Sequence, residues 1–327
     1  MRSPRSLAAI GLLIVAGCAS RPPVLPVLTP TLTHGIELSA TPFFPQQEYQ
    51  CGPAALATVL SAAGTDTRPD ALVEQVYIPG RKGTLQPELL AATRRAGRIP
   101  YRIEPNLEAL RMELQAGRPV LVMLNLGIPA LPVWHYAVVI GMDPDSDTVI
   151  LRSGTQRREH MPAQRFLQTW TWADKWGFVV LRPGERPAGA SLAALLRTTA
   201  EAEPLLAPDA RMLAYTAILD SWPDDLTARY GLAYALQAAG KLEPAERQYR
   251  RILARQPRHP AALNNLAEVL DDRGCRERAI AMAEQALAVA RTDQPSLVGP
   301  ITVTLEGLQA TPATGRRCPD AGSPAAR

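Results

Sequence analysis

Cys51 opens the segment Cys51-Gly52-Pro53-Ala54-Ala55-Leu56-Ala57, an apolar stretch that predicts a helix through Ala62. At a helix start, backbone N–H groups lack partners and the macrodipole is positive, so a thiol there ionises more easily and thiolate is the nucleophile. Gly52 lets the backbone approach a bound molecule, and Pro53 suits the first turn because its missing N–H costs nothing there. A polar side-chain amide just upstream would complete an oxyanion hole with the Cys51 N–H. This local design suits nucleophilic catalysis by sulfur.

A sulfur nucleophile needs a base, and His135, His160 and His259 lie downstream. His135 stands near the start of the apolar strand pattern Trp134–Gly141, after the Gly127–Pro132 loop, where an imidazole reaches a cleft edge while packing holds its ring. His160 lies in the polar run Arg157–His160 and reads as solvated; His259 falls in a turn between repeats. His135 is therefore the expected base.

The elements that must position this pair fall into two textures, divided near Pro183–Gly189. Before the divide, helical patterns cover the stretch after Cys51, Pro69–Val76, Gln86–Ala96 and Leu107–Gln115. Strand patterns follow at Val120–Leu126, Tyr136–Gly141, Thr148–Leu151 and Gly177–Leu181, with a hairpin turn at Asp143–Asp147. Helices first and strands later predict an α+β domain over 40–183. After residue 190 a period of 34 appears, carried by Pro223/Pro257, Leu232/Leu266, Ala233/Ala267, Gly240/Gly274 and Ala245/Ala279. That is the tetratricopeptide (TPR) spacing, with units at about 190–223, 224–257 and 258–291 and a capping helix over Pro295–Leu308, in an all-α region of 190–308. Residues 309–327 read as a flexible tail.

The first residues have the pattern of an export signal, with Arg2 and Arg5 before an apolar run from Leu7 to Ala16 that is too short to span a membrane. Val15-Ala16-Gly17-Cys18 resembles a lipobox, which implies a signal peptide of 1–17, lipidation at Cys18 and a membrane partner through the lipid. By resemblance to known lipoproteins, Ala19 after Cys18 implies the outer membrane, facing the periplasm. Residues 18–39 read as the lipidated end and an extended Pro-rich tether. A net charge of +4 with no basic stripe argues against nucleic acid as a partner. Asp143, Asp145 and Asp147 resemble a calcium loop only superficially, lacking its Gly and distant Glu, so no metal or cofactor is expected. Trp170, Trp172 and Trp176 read as core, with one at the cleft as the alternative. If Cys51 stays free, Cys275 and Cys318 remain to pair with each other, or both stay reduced.

The Cys-Gly-Pro helix start, followed 84 residues later by His135-Tyr136-Ala137-Val138-Val139-Ile140-Gly141, resembles family thirty-nine of the cysteine peptidases. These are papain-fold enzymes that process double-glycine leaders, with stand-alone relatives, and the combined features resemble a periplasmic lipoprotein subgroup carrying TPR repeats. The resemblance covers about 40–183 and implies Cys51 as nucleophile, His135 as base, an upstream Gln for the oxyanion and an Asp to orient the His. Pro45 occupies the usual Gln position, six before the Cys, so Gln46 and then Gln47 are nearest. Ser153 stands at the approximate place of the Asp; a serine can hydrogen-bond an imidazole but adds no charge. Two functions follow: a cysteine peptidase with a TPR protein-interaction module, acting on a peptide or protein, or a degenerate peptide-binding scaffold working through its repeats.

Overall fold

The computed structural model describes residues 26–28, 33–46, 50–310 and Cys318. The signal segment, Cys18 and Gln47 lie outside the described residues. The first domain is α+β and the rest of the chain is helical. Its elements are β1 (Ile36–Glu37), α1 (Cys51–Ala62), α2 (Pro69–Val76), β2 (Tyr77–Ile78), β3 (Gly83–Thr84), α3 (Gln86–Arg95), β4 (Ile99–Arg102), α4 (Leu107–Gln115), β5 (Val120–Asn125), β6 (Trp134–Asp143), β7 (Thr148–Ser153), β8 (Gln156–Pro162), α5 (Ala163–Thr171) and β9 (Gly177–Leu181).

Seven strands form one antiparallel sheet in the order β4-β9-β5-β6-β7-β8, with β1 also paired to β6. Every residue of β5 is buried, because both faces of the sheet are covered. The alternation of the pleat divides the core. Val120, Val122, Leu124, Ala137 and Val139 join Leu110, Leu114 and Phe166 of α4 and α5 on one face. Leu121, Val138 and Ile140 meet Leu56, Leu60, Leu72 and Leu89 of α1, α2 and α3 on the other. Helix α1 is buried along Gly52–Leu60, so it needs no polar face. Leu56 and Leu60, both fully buried, each contribute about 1.5–3 kcal/mol of transfer free energy.

Three expectations need correction. Strand β4 lies between α3 and α4, so the helices do not all precede the strands; Pro100 is tolerated because β4 is at the sheet edge. Strand β8, Gln156-Arg157-Arg158-Glu159-His160-Met161-Pro162, forms the opposite edge, where charges and a proline discourage further pairing and erase the apolar alternation that would have announced a strand. The tether does not extend to residue 39. Leu28 is fully buried in the sheet core, Val27 and Leu28 donate their N–H groups to Asp147 Oδ1 at 3.0 Å, and Ile36–Glu37 is a strand. Asp147 is thus an anchor for the N-terminal segment and not merely part of a solvated turn.

The helical region comprises α6 (Leu192–Ala202), α7 (Pro208–Ser221), α8 (Leu226–Ala238), α9 (Leu242–Arg255), α10 (Pro260–Asp272), α11 (Arg276–Asp293) and α12 (Val298–Ala310). Helices α8 and α10 start 34 residues apart, as do α9 and α11, matching the sequence period. Tyr249 is fully buried among Ala233, Ala245, Ala262, Leu266 and Ala279 of these helices. The divide at 183–189 is a change of texture and not a gap in packing. Ala202, Leu206 and Ala214 belong to the sheet's own core, and the buried Glu113 of α4 accepts the Ala188 N–H at 2.6 Å while pairing with Arg118.

Cys275 and Cys318 form a disulfide and Cys51 is a free thiol. The supposed tail is therefore helical through Ala310 and tied down again at Cys318. A cross-link spanning 43 residues removes denatured-chain entropy worth about 4 kcal/mol on a loop-closure estimate. Mild reduction is expected to lower the denaturation midpoint of the helical region; an unchanged midpoint would show that the bond constrains little.

Candidate active site

Three elements meet at the start of α1. Cys51 is its first residue, and the N-cap residue Gln50 makes no side-chain cap bond to that terminus. The β2–β3 hairpin lies directly over Gly52: a Cβ there would fall 2.4 Å from Thr84 Oγ1, so only glycine allows this approach. Strand β6 completes the group, its Tyr136 hydroxyl donating to the Thr84 carbonyl at 3.2 Å. Between them lies a cavity of about 500 Å³, lined by Gln46, Cys51, Thr84, Trp134, His135 and Tyr136, with Arg81 and Lys82 along one wall.

The structure brings Cys51, His135 and Gln46 into this one cavity and places Ser153 behind the imidazole. Strands β6 and β7 are neighbours, and His135 Nε2 lies 3.0 Å from Ser153 Oγ at the buried end of β7. If Nδ1 is the acceptor of a thiol proton, Nε2 carries the hydrogen and donates to that hydroxyl. Gln46 is held by its own N–H, which donates to Gly154 O at 3.0 Å, and by its amide, which donates to Tyr136 O at 3.3 Å. The amide thus lies on the cavity wall beside the sulfur.

The electrostatics differ from the expectation at one point. Burial pushes the Cys51 thiol up, although the N–H groups of Tyr136, Gly52 and Cys51 itself pull it down. Helix-end donors alone suggested easy ionisation; the closeness of the cavity reverses the sign, because desolvation penalises the anion more than these donors stabilise it. His135 is held below the ordinary imidazole value, again by burial, with the Glu159 carboxylate opposing. Both shifts favour the uncharged forms, thiol and imidazole, at neutral pH.

The remaining candidates lie elsewhere. His160 is exposed on β8 beside Thr148, and His259 caps α10 by accepting the Ala262 N–H at 3.1 Å. Trp170 and Trp176 are core residues, with Trp170 Nε1 donating to the Trp176 carbonyl, and Trp172 is half-buried away from the cavity lining. The tryptophan at the cleft is Trp134, whose partial exposure no local pattern announced. Thr84, Arg81 and Lys82 were likewise illegible, because they line the cavity only through the fold of a two-residue-strand hairpin. Among the described residues no group of three or more His, Cys, Asp and Glu is placed to hold a metal ion.

Residues 39–175 match the Peptidase_C39 like family. The C39-like span contains Gln46, Cys51, His135 and Ser153 and ends before the helical region. No curated protein matches the chain. Solved structures similar to it include a C39-like peptidase from Bacillus anthracis, 17% identical, covering 47% of this chain and 99% of that one with a TM-score of 0.40. The peptidase domain of Streptococcus ComA, a bifunctional ABC transporter, is 20% identical over 43% of this chain and 98% of that one, with a TM-score of 0.36. A double glycine motif protease from an AMS/PCAT transporter, solved with a leader peptide, is 16% identical over 42% and 89%, with a TM-score of 0.32.

Proposed function

We propose that the C39-like domain is a cysteine peptidase anchored in the bacterial envelope through lipidated Cys18, with the helical region serving as a TPR protein-interaction module. The observation that carries the enzymatic part is the shared cavity: a free thiol at an uncapped helix start and an imidazole backed by Ser153. Cys51 Sγ attacks the peptide carbonyl carbon as its proton passes to His135. The oxyanion is held by the Cys51 N–H and, once it turns from the Tyr136 carbonyl, by the Gln46 amide. His135 then protonates the departing amine as the C–N bond breaks, leaving a thioester. Water, deprotonated by His135, releases the acid and restores the thiol.

Labelling by a peptidyl epoxide, together with cleavage of a mixed peptide library read by mass spectrometry, tests this. Cys51 is expected to be the labelled residue, and iodoacetamide modification is expected to be slow at neutral pH and to rise above the ordinary thiol range, following the upward shift. Peptides left intact by a protein whose Cys51 is alkylated freely would overturn the peptidase. A second reading, a peptide-binding scaffold without turnover, draws support from the neutral Ser153 behind the imidazole; peptides retained but never cut would be its signature. The 34-residue repetition of helix starts supports the TPR reading, tested by partner capture with helical-face variants of the full chain. Incorporation of fatty acid that survives Cys18→Ala would rule out the anchor.

A further inference from the structure

Next to the thiol's cavity, the β5–β6 connection holds large apolar side chains out in water. Ile128 is 53% exposed, Leu131 73%, Val133 57% and Trp134 52%. This is not a loose loop. The buried Asn125 accepts the N–H groups of Gly127 at 3.0 Å and Val133 at 2.9 Å, and Ile128 and Leu131 bond to each other across the turn. A Cβ at Gly127 would sit 2.3 Å from the Leu131 carbonyl, so the turn closes only on glycine. A rigid apolar ridge kept in solvent marks a contact surface. Trp134 belongs to both ridge and cavity wall, which makes the two continuous.

Among the described residues that line the cavity, the charged ones are Arg81 and Lys82, and none is an Asp or Glu. The Arg81 guanidinium, on the cavity wall, has no hydrogen-bond or ion-pair partner among the described residues. Thr84 Oγ1, on the same hairpin, is buried and also lacks a partner among them. Buried polar groups without partners are uncommon, and a bound peptide would supply one.

We infer that the substrate is a peptide carrying a carboxylate, which Arg81 binds, next to apolar side chains, which lie on the Ile128–Trp134 ridge. Arg81 forms a charge-assisted pair with that carboxylate, and its planar fork accepts both oxygens. The carboxylate comes from an acidic side chain or from the peptide's own C-terminus. A lipid surface would also suit an apolar ridge, but the unpartnered cation faces the thiol's cavity, where a bilayer cannot follow. This inference deepens the peptidase reading and rests on it for the word substrate; as a binding claim it is tested without turnover.

The experiment uses the full chain as Cys51→Ala, so that peptides bind and are not consumed. Short fluorescent peptides with a Leu-rich centre are compared as Glu and Gln versions, each with a free and an amidated C-terminus. A preference for Glu assigns the carboxylate to a side chain, and a preference for the free terminus assigns it to the chain end. In either case Arg81→Gln is expected to weaken the preferred peptide about tenfold and to leave its neutral counterpart unchanged. The Ile128→Ser, Leu131→Ser double variant, whose sites are exposed, is expected to weaken all the peptides. The inference fails if carboxylate and neutral peptides bind alike, or if the ridge variant keeps full peptide affinity and instead loses binding to phosphatidylglycerol vesicles. Failure of catalysis is separate: it would appear as uncut peptides with the wild-type thiol while these preferences persist.

Discussion

Cys51→Ala is expected to lower kcat/KM for peptide cleavage by about a millionfold, the loss seen when the nucleophile of a catalytic pair is removed. The side chain is partly buried at the head of α1, and alanine fits the same space and suits a helix, so the fold should persist. Circular dichroism and the denaturation midpoint are expected to match wild type while labelling by thiol-directed peptides vanishes. The loss should also be non-additive. Adding His135→Gln to the alanine variant is expected to cost nothing further, because a base without a nucleophile has no proton to take. Two losses that multiplied would mean that the residues act separately, and the shared cavity would then have another explanation.

His135→Gln alone is expected to lower kcat/KM by about 10²–10⁴-fold, the usual contribution of a positioned general base. The pH profile of the wild type carries more information than the loss itself. His135 must be neutral to accept the thiol proton, and its burial keeps it neutral to lower pH than a free imidazole, whose reference value is 6.5. The acid limb of kcat/KM is therefore expected below that value. The sign follows from desolvation: the charged imidazolium is the penalised form, so protonation requires more acid. A limb above the reference value would indicate a thiolate–imidazolium pair at rest, in conflict with the upward shift of Cys51. Ser153 explains why the imidazolium receives so little help, since a hydroxyl at 3.0 Å orients the ring without a countercharge. The Glu159 carboxylate acts from farther off and leaves the net shift downward.

Local patterns determined much of this protein in advance. The apolar run after Cys51 announced α1, the Val- and Ile-rich stretches announced β5, β6, β7 and β9, and the recurrence of Leu, Ala and Gly at 34 residues matched the starts of α8 to α11. Cys51 and His135, which line one cavity, were legible because each lies at or near the start of an element, where chemistry and geometry leave a signature in adjacent residues, whereas Gln46 followed from the family resemblance. Tertiary structure decided the rest. The edge strands β4 and β8 carry proline or charge and exist as strands only because a neighbour pairs with them. Leu28 is core because Asp147, far along the chain, holds its backbone. Arg81, Thr84 and Trp134 join the site through contacts between segments distant in sequence. The direction of the thiol's shift belongs to the same class, since desolvation depends on everything that surrounds the sulfur, whereas the helix end that favours ionisation is written in its neighbours alone.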